Sequence, residues 1–207
     1  MVDNIDIQPT DAKERIKAAA ARIFSLRGLE GARMQDIADE AQINKAMLHY
    51  YFRNKQQLFE LIFEEKVKRI FSALEALSGS TASFEDRIRS FVDTQISIVL
   101  EFPAMPLFVM LEARKNPGLL EEKFGKLPVA AIRTKFSNMV RAEAEAGNIK
   151  VVAFDQLFVN IMSLCVYPII AEPMIRHVLD KDEASFRDLI EARKKLVADL
   201  IIHDLKP

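Results

Sequence analysis

The sequence predicts an all-α protein, and three observations carry that prediction. Leu, Ala, Ile, Glu and Lys are plentiful, while only 6 Gly and 8 Pro interrupt 207 residues. Apolar residues recur at i, i+3, i+4 and i+7 in one stretch after another. No strand-like run and no internal repeat stands out. Half the residues are hydrophobic and 29% are charged, which fits a folded chain with a sizeable core. Cys165 is the one cysteine, so an intrachain disulfide is impossible and a reducing compartment is expected. The N-terminus, M-V-D-N-I-D-I-Q, lacks the basic start and apolar run of a signal peptide. The most apolar stretch, Leu157 to Ala171, is broken by Asn160, Ser163 and Pro168 and falls short of the ~20 residues that span a bilayer. A cytoplasmic protein with no membrane partner is expected.

The first helix is expected to be capped at Thr10 or Asp11, with Glu14 completing a capping box. Ile16, Ala19, Ala20, Ile23 and Phe24 give it one apolar face, and Gly28 ends it. Met34, Ile37, Ala38 and Ala41 mark a shorter second helix. Ile43 is an apolar plug in the turn, and Asn44 caps a third helix that turns Leu48 and Phe52 inward. From Lys55 a long helix runs to about Leu77, with Leu58, Ile62, Ile70 and Leu74 inward, until Ser78-Gly79-Ser80-Thr81 breaks it. Ser83 and Asp86 open a helix that reaches about Phe102. Pro103 and Pro106 open a short helix ending at Asn116-Pro117-Gly118. Leu119 to Glu145 is expected to be helical with an interruption at Pro128, then stopped by Gly147-Asn148. Asp155 to Ala171 is an apolar helix kinked near Pro168, and the last helix spans about Glu183 to Asp204. Nine or ten helices result.

Ala32 to Lys55 packs a short amphipathic helix, a polar break, and a second short helix ending in aromatics and a lysine into one stretch. That layout is how a helix-turn-helix offers one helix to the major groove of DNA while flanking groups hold phosphates. With Leu48 and Phe52 inward, Lys45, Ala46, Met47, His49 and Tyr50 are left outward. Lys45 suits a guanine edge, and Ala46 or Met47 suits a thymine methyl. Tyr50, Tyr51 and Lys55 suit phosphates, and Arg33 is a further charged contact. Residues 1–55 hold nine basic and eight acidic side chains, a balance of only +1, in a chain of net charge −1. A strong basic footprint is therefore absent. Affinity would have to come from a few placed contacts, doubled by dimerisation.

Met34, Ile37, Ala38, Ala41, Ile43, Leu48, Tyr51, Phe52 and Lys55 resemble the motif of the tetracycline-repressor (TetR) family, with Asn44 standing for its capping Ser. The chain departs from that pattern at Ala32 in place of Thr, Gln42 in place of the turn Gly, and His49 in place of the first Tyr. The resemblance implies a helix-turn-helix DNA-binding domain over residues 1–55 and an effector-binding and dimerisation domain over 56–207. It places Gln35 where a base can be reached. It also implies a homodimer joined by the last two long helices of each subunit and a near-palindromic double-stranded DNA operator. A small-molecule effector would favour a head separation that does not fit the operator.

Candidate effector contacts are Met105, Phe108, Leu111, Phe136, Met139 and Met162, whose spacing suits either an adaptable pocket wall or plain core. Gln156, Asn160, Ser163 and Tyr167 form a polar stripe on an otherwise apolar helix. That stripe fits a pocket, a seam between subunits or a solvent-facing edge. Arg114 suits an acidic ligand or a surface ion pair. The rival readings are a helical adaptor that has lost DNA binding and an all-helical enzyme. The three His (49, 177 and 203) are scattered, no metal-ligand spacing, phosphate loop or nucleophile motif appears, and Cys165 sits in an apolar helix. Neither a metal, a cofactor nor catalysis is expected.

Overall fold

The computed structural model describes residues 9–79, 82–115, 118 and 129–207. Among them are ten helices and no strand: α1 (Pro9–Gly31), α2 (Met34–Glu40), α3 (Lys45–Tyr51), α4 (Lys55–Gly79), α5 (Phe84–Glu101), α6 (Ala104–Lys115), α7 (Val129–Glu145), α8 (Phe154–Ile170), α9 (Glu172–Val178) and α10 (Glu183–Leu205). Two compact units divide the chain at Lys66/Val67, inside α4, eleven residues beyond the Lys55 boundary expected from sequence. Leu119 to Pro128, the side chain of Leu74 and those of Thr10 and Asp11 lie outside the described residues. The short helix α9 was not foreseen.

In the first unit the apolar face of α1 is buried as its period requires, with Ile16, Ala20 and Phe24 at 0% exposure. Phe24 meets Phe59 of α4 edge-to-face, with ring centroids 5.2 Å apart. Helix α1 starts at Pro9, so Thr10 and Asp11 fall inside its first turn rather than before it. Gly28 adopts φ 65° and ψ 175°, which ends the regular part of α1, and one more helical turn carries it to Gly31. Three arginines of α1 fasten α2 and the turn beyond it. Arg15 donates to the carbonyl oxygens of Ala41, at 2.6 Å, and Gln42. Arg22 pairs with Glu40, and Arg27 pairs with Asp36. Lys17 joins Glu14 and Glu65; burial lowers its pKa, but the hydrogen bonds to Glu14 and Glu65 outweigh that and hold it raised.

The turn between α2 and α3 passes through Gln42 at φ 55°, in the left-handed region where a side chain is strained. Gln42→Gly should therefore raise the unfolding midpoint of the first unit, by on the order of 1 kcal/mol in stability, read by urea titration. An unchanged or lower midpoint would show that the turn carries no such strain.

In the second unit α5 packs against α10 and α8. The Oγ of Ser83 accepts from the Asp86 N–H at 3.2 Å and donates to its carboxylate at 2.6 Å, the cap expected from sequence. The core is built from Ile88, Phe91, Val92 and Ile96 of α5, Phe136 of α7, Ile161 of α8 and Ile190 of α10, among others. Helix α8 continues through Pro168, and the chain turns by 75° between α8 and α9 rather than kinking at the proline. Pro168 has no N–H to give the carbonyl of Leu164 one turn back. Arg193 of α10 supplies the donor instead, at 2.8 Å. Lys150 closes the loop after α7 onto the end of α10: its N–H donates to Leu205 O at 2.9 Å, and its ammonium meets Asp204 at 2.9 Å.

Cys165 lies in this core at 2% exposure. Burial pushes its thiol up to about 12, and the Arg193 charge pulls only weakly the other way. Because the thiolate is the reactive form, the native protein should react negligibly with a thiol reagent at pH 8 and promptly once unfolded. Fast labelling of the native protein would refute this.

Candidate nucleic-acid interface

Helix α3 is short, so its placement depends on its ends and on one buried face. Asn44 accepts from the Met47 N–H at 2.7 Å, satisfying one of the donors that a helix start leaves open. Leu48 at 0% and Phe52 at 3% exposure anchor the inward side. The turn is held from below by the Arg15 clamp on Ala41 and Gln42. What remains outward is Lys45, Ala46, His49 and Tyr50, all exposed, with Met47 half-buried at the edge. Tyr50 is 84% exposed and stacks edge-to-face on the half-buried Tyr51 at 5.2 Å. An exposed aromatic of that size on the same short helix as the exposed Lys45 suits a groove better than solvent.

Five of the basic residues up to Lys55 have internal duties: Arg15, Lys17, Arg22 and Arg27 in the clamps from α1, and Lys55 itself. The Lys55 ammonium donates to the carbonyl oxygens of Glu30 at 2.9 Å and Ala32 at 3.1 Å, tying the end of α1 to the start of α4. The backbone carbonyls it serves were invisible in the sequence. Arg33, Lys45 and Arg53, by contrast, are exposed and have no side-chain partner among the described residues. Arg33 occupies the N-cap of α2 and makes no side-chain cap there. A Ser or Asp would cap that helix better, so the position carries a cation at some cost to local stability. Arg53 comes directly after α3 and was not among the expected contacts; its position one residue past Phe52 was the available signal. Gln35 is exposed on α2, its amide donating to Asp39 at 2.8 Å.

The residues expected to meet an effector do not gather in one place. Met105 and Phe136 are buried at 5% and 4% exposure. Phe136 stacks between Phe91, at 6.0 Å, and Phe154, at 5.5 Å. Met139 and Met162 pack against the same core. Leu111 and Arg114 are exposed, and the side chain of Phe108 lies outside the described residues. Gln156, Asn160, Ser163 and Tyr167 all stand on the surface of α8, beside the exposed Phe158 and Val159. A cavity of about 370 Å³ opens between the start of α5 and the end of α10, lined in part by Phe84, Glu143, Asn148, Ile149, Ile202 and Lys206. None of the expected contacts lines it. Nothing in the sequence warned of Gln95, a carboxamide buried at 1% exposure within α5.

Among the described residues, no single helix is long and apolar enough to cross a membrane, and no group of three or more His, Cys, Asp or Glu is placed to hold a metal.

Comparison with known proteins adds the family. Residues 16–62 match the family model described as "Bacterial regulatory proteins, tetR family". The chain is similar to the HTH-type transcriptional repressor NicS of Pseudomonas putida, at 28% identity over 77% of this chain and 76% of NicS. It is similar to the HTH-type transcriptional regulator RutR of Escherichia coli, at 23% identity over 90% of this chain and 89% of RutR. Among solved structures, FadR from Bacillus subtilis in complex with stearoyl-CoA shares the fold with a TM-score of 0.59 at 16% identity, covering 93% of this chain and 98% of FadR. The matched segment holds the helix-turn-helix, and the likeness in fold extends through the second unit. Residues 16–62 thus carry the DNA-binding segment of the TetR family of bacterial regulators, and the chain is similar to bacterial transcriptional regulators over most of its length.

Proposed function

We propose that the protein is a repressor that binds a near-palindromic DNA operator as a homodimer in the cytoplasm and leaves it when a small apolar or amphipathic effector binds the second unit. The observation that carries this reading is the outward face of α3. Lys45, Ala46, His49 and Tyr50 are exposed there on a helix fixed by Leu48 and Phe52, and the free cations Arg33 and Arg53 flank it in sequence. Lys45, Met47 and His49, with Gln35 from α2, would meet base edges. Arg33, Arg53, Tyr50 and Tyr51 would meet phosphates, with Lys55 at the start of α4 adding to that end.

A second surface supports the dimer. Leu196 and Leu200 on α10 are 58% and 53% exposed, one turn apart. Val159 on α8 is 55% exposed, and Met174 and Val178 on α9 are 54% and 72% exposed. Large apolar side chains left open on three helices of one unit suit burial against a second copy. The polar stripe Gln156, Asn160, Ser163 and Tyr167 would then lie in or beside that seam. FadR of Bacillus subtilis, which shares the fold, was solved in complex with the amphipathic stearoyl-CoA.

The test is operator selection from random DNA by the full chain, then titration of variants against the selected site. Lys45→Ala should change which sequences bind, whereas Tyr51→Phe and Arg53→Ala should weaken all sequences alike. If Lys45→Ala behaves as the other two do, the division into base and phosphate contacts is wrong. If no DNA is retained at any salt concentration, the protein is an adaptor rather than a repressor.

A further inference from the structure

Gln95 stands in the middle of α5, and neither its Nε2 nor its Oε1 has a hydrogen-bond partner. Among the described residues it is the one polar or charged side chain that is buried. One turn before it on α5 stand Phe91 and Val92, and one turn after it Ile98 and Val99, all buried. A carboxamide placed among such residues loses its hydrogen bonds to water and regains none. Met would fill the same volume without that loss, so the sequence retains a group that packing alone disfavours. The exposed stripe on α8 and the open cavity near Lys206 offer it nothing, since it lines neither.

We propose that the Gln95 carboxamide is the polar recognition point of the effector site, and that the effector is an uncharged molecule presenting a hydrogen-bond donor beside an acceptor, as a lactam or other cis-amide does. The inference rests on the proposed release of operator by an effector and gives that effector's site its chemistry. A primary carboxamide offers an acceptor oxygen and a donor NH2 in one plane. A single small molecule satisfies both ends at once by presenting the complementary pair side by side. A carboxylate would engage the NH2 and leave Oε1 facing a negative charge. An ester would leave Oε1 without a donor. Arg193, whose charge reaches Cys165 in this core, is already committed to the Leu164 carbonyl, so a charged effector would enter the interior without a dedicated counter-ion.

The experiment uses the full chain and two readouts. First, thermal unfolding of ligand-free wild type and Gln95→Met is compared. The variant should melt a few degrees higher, because an unpaired polar group has been replaced by an apolar one of similar size. A lower midpoint overturns the proposal, since the carboxamide would then have a structural partner. Second, a homologous series of lactams, the lactones of the same ring sizes and the matching linear carboxylates are titrated calorimetrically. At least one lactam should bind wild type roughly tenfold or more tighter than its lactone, and Gln95→Met should abolish that preference. Failure of every lactam to bind overturns the proposal, as does equal affinity for lactam and lactone or a preference that survives in Gln95→Met. Operator release is scored separately. Release by a lactone or a carboxylate alone would keep the effector reading and remove Gln95 from it. A lactam that binds through Gln95 without changing operator affinity would do the reverse.

Discussion

Leu200→Asp should leave each subunit folded and lower operator affinity at least about a hundredfold, the consequence of losing the proposed dimer. Leu200 is 53% exposed on α10, so within one chain the substitution removes little buried surface, and an effect of about 0.5 kcal/mol or less on the subunit is expected. In a seam between subunits the same carboxylate would be desolvated without a partner, at a cost of several kcal/mol. A lone head has only Arg33, Lys45 and Arg53 as free cations bracketing the recognition helix, and DNA binding of that kind falls in the weak range of roughly 10⁻⁴ to 10⁻⁶ M. Sedimentation velocity with fluorescence anisotropy on the selected operator reads both effects. A variant that remains a dimer and binds like the wild type would remove α10 from the interface.

Arg193→Leu should cost about 2–3 kcal/mol of stability, the value of a charge-assisted bond to a carbonyl that nothing else on its own helix serves. The carbonyl is that of Leu164, left without its helical donor by Pro168, and Arg193 reaches it at 2.8 Å. The cause is tested by a double-mutant cycle. With Pro168→Ala the amide of residue 168 becomes available to Leu164, so Arg193→Leu should then cost less by about 1 kcal/mol or more. Additive effects in urea unfolding would mean that Arg193 and Pro168 act independently.

Apart from α9, the helices were legible because each announced itself within a few residues. Asn44 and Ser83 act as the caps their spacing implied, and Ile16, Ala20, Leu48 and Phe52 are buried on the faces their period implied. The bend after α8 was misplaced by three residues because a proline removes one donor without forbidding the helix when an outside donor replaces it. The outward set on α3 was legible for the same reason as its core: both result from Leu48 and Phe52 pointing in. The fate of the cations was not legible. Whether Arg27 or Arg33 is free depends on which carboxylate lies across the next helix, and that is a tertiary fact. The effector residues were least legible, since Met and Phe at helical spacing read alike in a pocket and in a core. Gln95 was visible as a letter only; its meaning came from what surrounds it.

The α1 clamps have a consequence for how the protein responds to ionic strength. With Arg15, Lys17, Arg22 and Arg27 committed within the head, the cations proposed to meet phosphates are Arg33, Arg53 and Lys55, three per head and six in the proposed dimer. Counterion release then predicts a slope of about −5.4 in log affinity against log salt, so that each doubling of salt weakens binding about fortyfold. A promoter under this protein would answer to osmotic change through the electrostatics of six side chains, before any effector arrives.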